Sequence, residues 1–409
     1  MGSDRVGVLD AQVDVPVRWD RRRRGVAPGW RHDALAHRVP SEGLKLSGVV
    51  MPTARNAQAR ADAHLVAERL RSKREGLQSR GASPLYEHLL EHAAHDAEAG
   101  GPAFEVLREH AGEPAGSALP LRFLSAVHRL VLDGKAPALA RHYPSAGGAL
   151  GLEGSWPAFH AVLEEHCGRL RELVARPCQT NEVGRCASLL PGFLAVANEY
   201  RLPLRILELG SSAGLNLNWD RYRYAGDGWE WGPEASSVRI SGSFEGSLAV
   251  GSDMVVTARR GCDSAPLDPV DPDARLALRS SVWADHLRRL ELLDAALEVA
   301  REHPPPVDRA DVCQWLGAKL TERTAGVATV VFHSILWQYL DGQRRELLRT
   351  LLHAAGGQAT AVSPLAWLRM EPPGELASVT LTTWPGGDER VVALSGYHGR
   401  PVRTPWVDA

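Results

Sequence analysis

The sequence predicts an α/β fold: a doubly wound, Rossmann-like sheet preceded by a helical N-terminal region. Three observations predict it. Residues 203–220, PLRILELGSSAGLNLNWD, carry an apolar run of strand length (Leu204, Ile206, Leu207, Leu209), a small-residue turn from Gly210 to Gly214, and a helical face of Leu215, Leu217 and Trp219. Residues 327–332, VATVVF, are apolar and β-branched without alternation, as in a strand buried on both faces. Ahead of residue 200, apolar residues recur every three or four positions, which is helical spacing.

The boundaries that follow are an extension over 1–55, expected to be disordered, a helical region over 56–200, and the α/β domain over 201–409. The extension carries Arg21–Arg24 and no sustained periodicity. The 47 basic and 49 acidic residues nearly cancel, so no nucleic acid is required as an obligatory partner. No stretch of about eighteen apolar residues occurs and the N-terminus lacks an apolar leader core, so neither a membrane span nor a secretory signal is expected. Cys167, Cys178, Cys186, Cys262 and Cys313 are odd in number and form no C-x-x-C pair, the usage of reduced thiols in a cytoplasmic protein. None of these features sets the oligomeric state.

In chain order, Ala/Arg/Glu-rich sequence over 56–73 predicts a helix. Ser83 then caps a second one that starts at Pro84 and runs to Ala97. That helix contains His88-Leu-Leu-Glu91-His92, a formal match to an inverted zinc-protease motif, but a string this short on an amphipathic helix is easily met by chance. Further helices are expected over 104–110, 121–133, 156–176 and 187–200. After the key turn, RYRYAGDGWEWG over 221–232 alternates aromatic and polar residues about Gly-Asp-Gly and predicts a hairpin, whose rings either line a pocket or cover apolar surface. Strands are expected over 238–241, 254–258, 327–332, 359–366, 378–384 and 390–395, with helices over 273–302 and 344–355.

The turn after the key strand admits four readings. A nicotinamide fingerprint would need glycine where Ser212 and Leu215 stand. A nucleophile elbow, G-x-S-x-G, fits literally with Ser212 as nucleophile and His398 late enough to serve it. The turn of S-adenosylmethionine (SAM) enzymes, acid-x-G-x-G-x-G, is met by Glu208, Gly210 and Gly214, with Ser212 at the middle glycine. The fourth is a tight strand–helix connection with no ligand at all.

Other candidates follow the strands. Asp263, after the second strand, stands where a doubly wound site holds a ribose diol. Asp311 either holds an adenine amino group or caps the helix that follows. His333, at the end of the most apolar strand, is either a general base or a neutral histidine in the wall of the site, with Trp337 just beyond it. The compact polar segment QTNEVGR, 179–185, is either a capped turn, with Asn181 and Arg185 satisfying backbone groups, or a lid.

Set in order, the acid-x-G turn, Gly261-Cys262-Asp263, the Asp311 segment and the His333 strand resemble the class I SAM-dependent methyltransferases. The antiparallel closing strands resemble that fold too. More narrowly, QTNEVGR, LELGSSAGLNL, RRGCD-x-x-PLDP and VVFHSILWQYL resemble an uncharacterised family of high-GC bacteria labelled a domain of unknown function, over roughly residues 75–400. The resemblance implies a methyltransferase-like fold, SAM as cofactor and a small-molecule acceptor. The cofactor side would be Glu208, Gly210, Ser211, Ser212, Gly214, Asp263 and Asp311, with His333 as base and Asn181, Arg185 and Trp337 around the acceptor. Ser212 departs from the common turn, and no N/D-P-P-Y strand end is present, so a base or glutamine nitrogen is not the expected acceptor.

Overall fold

A computed structural model describes residues 54–404 apart from 79–82, 247, 252–253 and 373. The expected extension over 1–55, with Arg21–Arg24, lies outside the described residues but for its last two positions. One compact unit spans Pro52–Ala409. No helix among the described residues is long and apolar enough to cross a membrane.

Among the described residues, eight α-helices precede the sheet: α1 (Ala54–Gln78), α2 (Pro84–Glu98), α3 (Pro102–Leu107), α4 (Leu119–Leu132), α5 (Pro137–Ala140), α6 (Ser155–Glu165), α7 (Cys167–Val174) and α8 (Arg185–Tyr200). The Ser83 hydroxyl accepts the amide of Tyr86, so the predicted cap forms, and Pro84 takes the first helical position, where its missing N–H costs nothing. The single helix expected over 156–176 is two, parted at His166, whose carbonyl already accepts from Leu170 as the second helix begins. The His88-x-x-Glu91-His92 string is packing: His88 and His92 lie ring to ring at 4.6 Å, and His92 stacks on Trp156 at 5.5 Å. Among the described residues no group of three His, Cys, Asp or Glu is placed to hold a metal ion.

The strands are β1 (Leu204–Leu209), β2 (Arg223–Gly226), β3 (Trp229–Trp231), β4 (Arg239–Ser241), β5 (Phe244–Glu245), β6 (Val256–Asp263), β7 (Val307–Arg309), β8 (Ala328–Ser334), β9 (Leu365–Glu371), β10 (Ala377–Trp384), β11 (Asp388–Ser395) and β12 (Val402–Arg403). Nine form one sheet in the order β5-β12-β11-β10-β9-β8-β1-β6-β7. The run β7-β6-β1-β8-β9 is parallel throughout, and β10 and β11 follow antiparallel. From β1 the chain builds outward through β6 and β7, then returns to lay β8 and β9 on the other side. A sheet wound this way opens a crevice at the carboxyl ends of the two strands where the direction reverses, here β1 and β8.

Four helices cover the later strands: α9 (Pro272–Ser281), α10 (Leu287–Glu302), α11 (Val312–Leu320) and α12 (Gly342–Gly356). The helix expected over 273–302 is broken at Val282–His286, because Ala284 and Trp283 are drawn into the core of the helical region, where Trp283 meets Tyr86 at 6.4 Å. Buried His128 of α4 fastens the same junction, with Nδ1 3.1 Å from the Ser280 carbonyl and Nε2 2.7 Å from the Ser145 hydroxyl. The helical region is thus docked on α9 rather than strung ahead of the sheet.

Three further expectations shift. Leu215–Arg221 is a 3-10 segment rather than an α-helix, pinned by Trp219, which stacks on Phe193 of α8 with centroids 3.9 Å apart. The strand expected over 359–366 starts at Leu365, because Thr360 and Ser363 close a turn of their own and Leu365–Met370 pair with β8. The hairpin forms as β2 and β3, but its rings cover apolar surface: Tyr222 and Tyr224 are fully buried, and their hydroxyls donate to the carbonyls of Leu215 and Trp219.

Candidate functional site

A cavity of about 1050 Å³ opens at the carboxyl ends of the parallel strands. β1 contributes Glu208 and the turn after it Gly210 and Ser212; β6 contributes Asp263; Asp311 follows β7; Ser334 ends β8, and Ile335 and Leu336 follow it. The helical region closes the far side with Tyr86, Leu121 and Leu124, and the polar loop adds Gln179, Asn181 and Arg185. Seven of the expected site residues therefore share one cavity; Ser211, Gly214, His333 and Trp337 are not in its lining.

The turn after β1 is left-handed at Gly210, Ser212 and Gly214, with φ of 71°, 54° and 73°. Its amides are used inside the fold. Gly210 and Ser211 both donate to the Cys262 carbonyl, at 2.9 and 3.0 Å, and Ser212 donates to Asp263 Oδ2 at 2.9 Å. Gly214 is required by packing, since a Cβ there would lie 2.7 Å from Val307 Cγ2. At Gly210 a Cβ would meet Leu336 Cδ1 at 2.8 Å. A branched residue at Gly210 would thus strain the fold as well as obstruct a ligand.

Two polar residues of the loop before α8, Gln179 and Asn181, secure this turn. Gln179 Oε1 accepts the Ser212 hydroxyl at 2.8 Å, and Asn181 Oδ1 accepts the Leu215 amide at 2.9 Å. The Ser212 hydroxyl is therefore given to an amide oxygen and not to a histidine; His398, the partner an elbow would need, has its Nδ1 3.2 Å from Glu182 Oε2 instead. Glu182 is buried and also pairs with Arg289, Nη2 to Oε2 at 2.5 Å. Burial alone would raise the Glu182 carboxyl, but Arg289, His398 and Arg185 outweigh it and hold it far below the carboxylate range. Burial lowers His398 despite Glu182, so its imidazole is neutral at pH 7.

Glu208 is 2 % exposed, and its Oε2 has no hydrogen-bond partner among the described residues. Burial, reinforced by Asp263, pushes its carboxyl well above the usual range against the pull of Ser211 and Arg185. At the floor of the cavity the protonated form of Glu208 is thereby favoured. Asp263 accepts the amides of Ser212 and Ala265, both at 2.9 Å, and so ties β6 to the turn while keeping acceptor capacity on each oxygen. Asp311 caps α11, accepting from Cys313 and Gln314, and its Oδ2 lies 3.5 Å from Arg344 Nε.

His333 does not face the cavity. It is fully buried, with Nδ1 2.8 Å from Glu371 Oε1 and Nε2 3.1 Å from Trp367 Nε1. An indole N–H only donates, so Nε2 carries the lone pair and Nδ1 the proton. Both ring nitrogens of His333 are thus engaged inside the wall, and the residue is not part of the cavity lining. Trp337 faces away as well, its ring beneath the Arg349 guanidinium at 5.5 Å. Ser211 is internal, donating to the Glu208 carbonyl at 3.1 Å.

Sequence reasoning did not single out Gln179, Glu182 or Arg289, and it raised His398 only as the partner of a nucleophilic Ser212. Gln179 and Glu182 lie inside the QTNEVGR segment and could have been found there; Arg289, on a helix with no local oddity, offered no signal. Residues 69–404 match the family described as "Uncharacterized protein conserved in bacteria (DUF2332)". No curated protein and no solved structure matches the chain.

Proposed function

The chain belongs to the DUF2332 family, and we propose that it binds S-adenosylmethionine in the β1–β8 cavity and transfers its methyl group to a small molecule. One observation carries the proposal. Glu208, Asp263 and Asp311, at or just past the ends of three neighbouring parallel strands, line one cavity beside a left-handed turn. The strand order outward from β1 and back to β8 and β9 supports a doubly wound, methyltransferase-like arrangement, in which ligands take this crevice.

The residues present fit such a cofactor. An adenosyl ligand with an amino-acid tail brings hydroxyl, amino and ammonium donors, and three acids with an orphaned buried oxygen supply the acceptors. Asp263 has spare lone pairs for two ribose hydroxyls, Asp311 for the adenine amino group, and Glu208 for the ammonium. The bound cofactor supplies a methyl group on a positively charged sulfur. The chain's part is to hold an acceptor in line with it and to keep water out, tasks of orientation rather than covalent catalysis. His398 is the imidazole in the cavity lining; neutral and set against Glu182, it is placed to take the proton the acceptor gives up.

Calorimetric titration of the full chain with S-adenosylhomocysteine tests the proposal. Saturable binding that weakens about tenfold or more in Asp263→Ala is expected, from the loss of charge-assisted acceptors. A wild-type protein that takes up neither S-adenosylhomocysteine nor S-adenosylmethionine refutes it.

A further inference from the structure

Four arginines line the cavity, and three are accounted for. Arg289 is paired with Glu182, Arg344 lies between Asp311 and Asp341, and Arg400 is exposed at the rim. Arg185 differs. Its Nε donates to the Tyr397 carbonyl at 3.0 Å and its Nη1 approaches the Ser334 carbonyl at 3.5 Å. Among the described residues it makes no ion pair, and its Nη2 has no hydrogen-bond partner. Carbonyl dipoles hold the guanidinium beside the end of β8, at the strand where the sheet reverses, and Glu182 and Glu371 act on it only from beyond ion-pair contact.

We propose that Arg185 is the seat of a carboxylate borne by a small ligand of this cavity. The inference rests on the cavity being a ligand site, as above, but not on which ligand fills the acid-lined end. A guanidinium presents planar paired donors that match a carboxylate, and here Nε and Nη1 each donate to a carbonyl while the N–H groups of Nη2 are left for a ligand. The opposing acids choose between anions. The carboxylates of Asp263 and Asp311 line the same cavity, so a planar monoanion is accommodated where a phosphate dianion is repelled. The rings of Tyr339 and Tyr397 beside Arg185 favour an organic acid over an inorganic one.

Two sources carry this chemistry: the amino-acid tail of an adenosyl ligand, or the acceptor itself. The full chain is titrated with two matched pairs, S-adenosylhomocysteine against 5′-methylthioadenosine, and benzoate against benzamide in the presence of 5′-methylthioadenosine. The wild type is expected to prefer the charged member of at least one pair by roughly tenfold, the scale of one charge-assisted contact. Arg185→Gln is expected to erase that preference without weakening the neutral member, and Arg185→Lys to keep part of it. Loss confined to the first pair assigns the carboxylate to the adenosyl ligand; loss confined to the second assigns it to the acceptor. No preference for either charged member in the wild type overturns the proposal before any variant is made, and a preference that survives intact in Arg185→Gln overturns it too. Benzoate discrimination without any adenosyl binding upholds Arg185 and removes the methyltransferase reading instead.

Discussion

His333 and Glu371 are joined across 2.8 Å, from Nδ1 to Oε1, and the same carboxylate oxygen accepts the Leu336 amide at 2.8 Å. Glu371 also accepts the Trp337 amide, so one partly buried side chain at the end of β9 holds the corner after β8. That corner carries Ile335 in a left-handed conformation, φ 54°, and supplies Leu336, Gln338 and Tyr339 to the cavity. The pair is therefore a strut for the cavity wall. His333→Asn is expected to cost about 1–3 kcal/mol in urea unfolding, from unpaired buried partners, and Glu371→Ala to cost more. Methyl transfer, once an acceptor is found, should keep its pH profile in His333→Asn; loss of the inflection would restore His333 as the base.

His398→Asn makes the opposite case. It should leave S-adenosylhomocysteine affinity near that of the wild type while slowing transfer on the order of a hundredfold. Since burial lowers the imidazole from its ordinary value of about 6.5, wild-type turnover should be flat above that pH and fall below it as the base is protonated. An unchanged rate in the variant would exclude this histidine.

Glu182 sets an acid limit on stability. Its folded-state carboxyl lies below its unfolded value, so its contribution is full above about pH 4.3 and is lost as pH falls toward the folded value. Glu182→Gln leaves Arg289 buried without its counter-charge and should cost about 3–5 kcal/mol at pH 7. The gap to wild type should narrow in melts below about pH 4. A constant gap across that range would mean that the pair adds nothing.

Glu208 has the opposite sign. Its folded-state carboxyl is raised, so the stability linked to its proton is full below about pH 4.3 and falls as pH rises toward the folded value. Glu208→Gln, a neutral mimic, should match the wild type at low pH and exceed it by on the order of 1 kcal/mol at pH 8. An ammonium seated beside Glu208 would ionise it. Titrations of S-adenosylhomocysteine in buffers of different ionisation enthalpy should then report proton release, and its absence would place the ammonium elsewhere.

Ser212 should not react. Its hydroxyl is committed to Gln179 at 2.8 Å, so a fluorophosphonate probe is expected to leave the wild type unlabelled. Labelling that disappears in Ser212→Ala would revive the elbow.

What the sequence determined by itself is whatever one segment writes alone. β1 and β8 are legible because burial on both faces demands mostly apolar residues without strict alternation, and the Gly210–Gly214 turn because its left-handed positions favour glycine. The cap of Ser83 on α2 is legible for the same local reason. The tertiary structure decided the rest. His333 looked like a base because a strand end points to a crevice, yet Glu371 and Trp367, 38 and 34 positions away, take both its nitrogens. Arg289 reaches Glu182 across 107 positions, while Arg185, only three positions from Glu182, makes no ion pair among the described residues. A side chain's charge and proton depend on what solvates it once water is gone, and for a buried group that solvent is made of residues remote in the chain.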